Sequence, residues 1–279
     1  MKLYTINTEF FKLDGGAMFG VVPKVLWQRT NPADANNLCT FTNRLLLIED
    51  GDRLTLIDTG MGDKQSDKFF SHYYIHGEDN LDKSLRAHGF HRDDITDVIL
   101  THLHFDHCGG AVRREGEKLI PAFKNARFWS NKKHWQWATE PNPREKASFL
   151  KENILPIQES GQLNFIKEGV DYDENIAVRL AHGHTESMMM PQIKYKGHTI
   201  LYITDLLPTV GHIPLPYVMG YDTRPLITLE ERQNYWQEIM EKEYIIFFEH
   251  DPIHECCTLQ MTEKGIRVKE TFKFSDIDG

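Results

Sequence analysis

Thr101-His102-Leu103-His104-Phe105-Asp106-His107-Cys108-Gly109-Gly110 sets three imidazoles and a carboxylate within six residues. Crowding such groups is costly unless a cation receives them, so the stretch reads as half of a two-metal site. Just upstream, Thr96-Asp97-Val98-Ile99-Leu100 is a short apolar run with polar ends, which predicts a buried strand. His102 and His104 then stand just past its end, where residues two apart point the same way and both rings reach one ion. Gly109, Gly110 and Ala111 let the chain turn tightly into a helix, so that Asp106 and His107 face a second ion.

Further out, residues 44–48 and 53–57 read as strands joined by Glu49-Asp50-Gly51-Asp52, whose Asp-Gly pair favours a hairpin turn. A first strand is expected near 3–7, and Leu81 and Leu85, with Gly89 as a stop, predict a helix within 78–95. Residues 13–27 are Gly-rich and apolar without a period, and read as a long functional loop. Residues 126–129, 176–180, 199–203 and 244–248 read as strands and 229–243 as a helix, while 133–143, with two prolines, reads as a loop. No repeat or linker divides the chain, and the alternation predicts layered α/β packing in a single domain, 1–279.

Composition narrows the function classes. With 40% hydrophobic and 26% charged residues among 279, the chain is an ordinary globular one with room for a sizeable core. A net charge of −9, with basic clusters no longer than the pairs Arg113-Arg114 and Lys132-Lys133, argues against a nucleic-acid partner. No apolar stretch approaches the roughly 20 residues that span a bilayer, so no membrane partner is expected. The first nine residues turn polar too soon for a secretory signal, and four cysteines, two of them adjacent (Cys256, Cys257), make no disulfide framework. A reducing cytoplasm is the expected location.

Three later residues occupy the first polar positions after apolar strands: His184 in Ala181-His-Gly-His-Thr-Glu186, Asp205 after Ile203-Thr204, and His250 after Phe248-Glu249. Strand ends on one sheet edge converge, so ligands far apart in sequence can meet there. His182 competes with His184. Asp58, at the strand end before Thr59-Gly60, reads either as a group orienting a ligand imidazole or as a structural turn carboxylate. His and Asp ligands without thiolate suit zinc, with iron, manganese or cobalt as alternatives.

The H-x-H-x-D-H run, together with Leu56-Ile57-Asp58-Thr59-Gly60, Gly183-His184, Thr204-Asp205 and His250, resembles the metallo-β-lactamase superfamily from about Arg44 to His250. The resemblance implies an αββα four-layer sandwich, an α/β fold with the site at one edge of its sheets. It favours His184 over His182, and assigns His102, His104 and His184 to one ion, Asp106, His107 and His250 to the other, and Asp205 to both. Within the superfamily the pattern is similar to that of acyl-homoserine-lactone lactonases, which quench bacterial signalling, as are Gly15–Trp27 and Asp205-Leu-Leu-Pro-Thr209. The implied enzyme opens small lactones or esters by attack of a metal-bridging hydroxide, with Asp106 passing the proton to the leaving group.

Met18, Phe19 and Trp27 in the first loop, and Trp135 and Trp137 in the second, are candidate walls of an apolar substrate pocket. Some lactonases of the group carry a substrate-contacting Tyr three residues after the bridging Asp, where this chain has Pro208; His212 and Tyr221 are the candidates to replace it. The expected partners are a small ester or lactone substrate and a second copy in a homodimer. Competing readings are a phosphotriesterase or aryl-ester hydrolase on the same metals, a nuclease, which the missing basic face disfavours, and a non-catalytic metal-binding module.

Overall fold

In the computed structural model, which describes residues 1–278, contacts group the chain into two compact units, residues 1–9 with 43–170 and residues 10–42 with those from 171 onward. The first sheet runs in the order β1-β2-β3-β4-β7-β8, from β1 (Lys2–Asp14), β2 (Leu38–Asp50), β3 (Arg53–Ile57), β4 (Asp97–Ile99), β7 (Arg127–Ser130) and β8 (Leu163–Phe165). β5 (Val112–Glu115) and β6 (Lys118–Pro121) make a separate ribbon. β2 and β3 are antiparallel with Asp50 opposite Arg53, which leaves Gly51-Asp52 as a two-residue turn, and Gly51 takes the positive φ of 60° that such a turn requires.

From β3 onward the neighbours in this sheet are parallel. Every residue of β4 is buried, so Val98 and Ile99 follow one another as apolar residues rather than alternating with polar ones. Ile57 of β3 pairs with Ile99 of β4, so Asp58 and the stretch leading to His102 leave the sheet at the same edge. Behind them, Leu47, Leu56, Val98, Leu100, Leu103 and Phe128 belong to one apolar cluster, each fully buried side chain contributing about 1.5–3 kcal/mol.

The loop expected at 133–143 is a loop only in its second half. Lys132–Thr139 is a helix, because the Asn131 side chain caps it by accepting from the His134 amide and Trp135 and Ala138 share its buried face. Both prolines lie beyond its end. Within 13–27, too, there are two short helices, Gly15–Phe19 and Lys24–Trp27.

The second unit has its own sheet, β14-β13-β12-β11-β10-β9, from β9 (Ile176–Ala181), β10 (Met188–Tyr195), β11 (His198–Tyr202), β12 (Ile245–Phe247), β13 (Cys256–Thr262) and β14 (Gly265–Phe272). β11 and β12 are its parallel pair, Tyr202 opposite Phe247, so the segments that carry Asp205 and His250 leave side by side. The Pro225–Glu241 helix begins four residues before the expected 229, with Pro225 in the first turn, where its missing N–H costs nothing. Trp236 and Ile239 anchor the helix in a core with Met190, Leu201 and Ile246. Among the described residues no helix is long and apolar enough to cross a membrane. No disulfide joins Cys39, Cys108, Cys256 or Cys257, all of them buried.

Candidate functional site

In the first unit His102 and His104 do point the same way. Nε2 of His102 lies 3.1 Å from Nδ1 of His104, close to the roughly 3.3 Å between two nitrogens held tetrahedrally at zinc distances. Leu103 between them turns into the core, and its amide donates to Nε2 of the buried His134 (2.8 Å). His104 then opens the short Phe105–Cys108 helix, which carries Asp106 and His107, with Asp106 Oδ2 3.9 Å from His107 Nε2.

Asp58 binds this segment together. It is buried, adopts a left-handed backbone (φ 59°), accepts from the Thr101 amide (2.8 Å) and hydroxyl (2.6 Å), and lies 3.1 Å from Nδ1 of His107. That conformation costs a non-glycine residue about 1–2 kcal/mol, offset by the hydrogen bonds. Gly109 and Gly110 serve a different purpose from the one their turn suggested. A Cβ on Gly109 would lie 2.0 Å from the Met61 carbonyl oxygen, and one on Gly110 2.2 Å from that of Thr59. They are needed for space, so that the 59–62 turn can pack on the motif.

In the second unit Asp205 addresses two imidazoles at once. Its Oδ2 lies 3.0 Å from His184 Nε2 and its Oδ1 2.9 Å from His250 Nε2. Each ring is held from behind: His184 Nδ1 by the buried Asp222 carboxylate (2.9 Å), and His250 Nδ1 by the Thr42 carbonyl (3.0 Å). Burial disfavours charge on His184, yet Asp205 and Asp222 prevail and push it up to about 10. These carboxylates make a place for positive charge, which a metal ion fills as well as a proton.

The 182–184 loop is fixed by the start of the Pro225–Glu241 helix. Glu231 accepts from the amides of His182 (2.5 Å) and Gly183 (3.0 Å), and the Arg224 amide donates to the Gly183 carbonyl (2.9 Å). His182 is engaged elsewhere, its Nδ1 3.0 Å from Glu186, a carboxylate that Arg224 also binds (2.7 Å).

Phe19, Trp27 and His212 form a buried stack, with Phe19 4.1 Å from His212 and 5.1 Å from Trp27 between centroids. His212, a candidate to replace the substrate-contacting Tyr, instead has both ring nitrogens engaged within the protein. Its Nδ1 meets the Thr209 hydroxyl (2.8 Å) and its Nε2 the Met18 carbonyl (3.0 Å), and burial and Arg232 lower it to about 3. Met18 is buried nearby and Tyr221 is 42% exposed. Trp135 lies in the core, and Trp137 donates to Glu145 (2.7 Å) rather than standing as a bare wall. Asp222, His134 and Glu145 escaped the sequence reading because none follows a strand or falls in a ligand-spaced motif. Only the fold carries them to a candidate ligand histidine or its neighbour.

His and Asp side chains thus gather in groups close enough to hold metal ions. The donors are imidazoles and carboxylates, with no ammonium or amide among them, so the chemistry fits a divalent cation. Residues 44–237 match the metallo-beta-lactamase superfamily, and the chain belongs to it. An N-acyl homoserine lactonase from Bacillus sp. is 28% identical over 221 residues, 74% of this chain and 79% of its own length. Among solved structures, a probable metal-dependent hydrolase from Staphylococcus aureus superposes with a TM-score of 0.88 at 25% identity, covering 97% of this chain and 96% of that one. AidC, a dizinc quorum-quenching lactonase in complex with a product, N-hexanoyl-L-homoserine, gives 0.80 at 21% identity over 97% and 95%. The fold is the mixed α/β metallo-β-lactamase fold.

Proposed function

We propose that the chain is a dinuclear metal-dependent hydrolase that opens lactone or ester bonds of small molecules of the acyl-homoserine-lactone kind. The observation that carries this reading is the Asp205 carboxylate, whose two oxygens face two different histidines at 3.0 and 2.9 Å, as a ligand shared by two ions would. His102, His104 and His184 would hold one ion and Asp106, His107 and His250 the other, with zinc the best match to the donors and iron, manganese or cobalt able to replace it. We read residues 1–279 as one functional domain. The lactonases among the relatives support the substrate class.

Bound there, two divalent ions would bring water towards ionisation at neutral pH and polarise a carbonyl. The chain's own residues do the rest. Asp58 and Asp222 hold His107 and His184 in one tautomer and orientation. Asp106, a ligand with a second oxygen, carries the proton to the departing alkoxide. Met18 and Tyr221 are the substrate contacts we retain, with the Phe19–Trp27–His212 stack supporting their loop.

Pro208 supports a second reading, an aryl-ester or phosphotriester hydrolase, because no Tyr stands there to contact a lactone carbonyl. Metal analysis combined with turnover of lactones, aryl esters and phosphotriesters decides between them. Two ions per chain with lactone turnover is expected. One ion or none sinks the dinuclear reading, and inert lactones beside active phosphotriesters or aryl esters put the second reading in its place.

A further inference from the structure

The 131–149 segment, which carries no proposed metal ligand, is built around the second histidine of the motif. Glu145 is 3% exposed, and its Oε1 lies 3.5 Å from Nε2 of His104. Its other oxygen accepts from Nε1 of Trp137 (2.7 Å) and from the Asn142 amide group (2.5 Å). Phe149 lies 4.7 Å from the His104 ring, and the Phe105 amide donates to the Ser148 carbonyl (3.0 Å). On the Lys132–Thr139 helix, Trp137 and His134 stand three residues apart on one face, one reaching Glu145 and the other the Leu103 amide.

We propose that Glu145, held by Trp137 and Asn142, is a positioning residue that selects the His104 tautomer in which Nδ1 is the metal-binding nitrogen. This rests on the reading of His104 as a ligand. Nδ1 is the nitrogen turned to His102 Nε2, so it must keep its lone pair for an ion. The ring proton then belongs on Nε2, facing a carboxylate that only accepts.

The two donors on the far oxygen make the carboxylate's identity matter. Glu145→Gln must put its carbonyl oxygen towards Trp137 and Asn142, which turns its NH2 towards His104 Nε2. That drives the ring proton to Nδ1 and blocks the ligand nitrogen. The reverse orientation sets an NH2 against two N–H donors.

The test is zinc affinity by chelator competition, with the thermal midpoint of the metal-free form measured alongside. His104→Ala is the control. Glu145→Gln is expected to weaken zinc at one ion per chain by about 10–100-fold, the usual range for such partners, while the metal-free midpoint stays near that of the parent. Unchanged affinity in Glu145→Gln, when His104→Ala loses an ion, overturns the positioning role. His104→Ala without effect overturns the ligand assignment itself. Should Glu145→Gln fail to fold, Trp137→Phe decides: weakened zinc with a folded metal-free protein supports the role, and unchanged zinc overturns it.

Discussion

The two units prepare their metal-binding side chains by opposite means. In the first, four candidate ligands stand in one run of six residues, and the local chain does most of the aiming: an extended end for His102 and His104, one helical turn for Asp106 and His107, and Asp58 beneath. In the second, His184, Asp205 and His250 come from three separate segments, brought together by the parallel pairing of β11 with β12 and by the helix that pins the 182–184 loop. A contiguous motif needs room for its own crowding, which Gly109 and Gly110 provide. A dispersed one needs the rest of its unit to be folded first.

Asp205→Ala is the harshest challenge to this contrast, since one side chain of the dispersed set addresses both His184 and His250. It is expected to remove most bound metal and turnover. Asp58→Asn and Asp222→Asn, one in each unit and each behind a single histidine, are expected to cost about 10–100-fold in metal affinity. Equal losses in metal content and turnover for all three variants would break the distinction between a shared ligand and its supports.

Gly109→Ala and Gly183→Ala sharpen the comparison by crowding one unit at a time. The new methyl would meet the Met61 carbonyl oxygen at 2.0 Å in the first case and the Thr228 amide nitrogen at 2.4 Å in the second. Overpacking of this kind costs about 1–3 kcal/mol, and each kcal/mol is worth ~2–4 °C of Tm at this chain length. Gly109→Ala should displace His107, and Gly183→Ala should displace His184. Thermal scans showing either variant as stable as the parent would contradict the close packing.

The smallest expected effect separates the buried stack from the ligands. His212 titrates at about 3 rather than 6.5, because burial and Arg232 oppose its charge. Between those values the unfolded chain binds a proton that the folded chain refuses, so stability is lost as pH falls below about 6.5. His212→Asn should therefore show a shallower fall in Tm from pH 7 to pH 5 than the parent. Parallel curves would mean that His212 takes up its proton in the folded state.

The sequence by itself determined the strands at 44–48, 53–57 and 96–100 and the candidate cluster from His102 to His107, because short apolar runs and ligand spacing are local properties. It also marked out His184, Asp205 and His250, through their shared position after apolar strands, while the family resemblance supplied their grouping. The helix at Lys132–Thr139 was hidden by prolines that lie just beyond it. Only the tertiary structure decided which groups stand behind each histidine, Asp222 and Glu145 among them, and that His212 faces inward with both nitrogens bonded. A carboxylate 38 residues from its histidine leaves no periodic trace in the sequence. The pairing arises when the chain folds back on itself, and burial then makes it matter, because a buried ring nitrogen must find its partner there rather than in water.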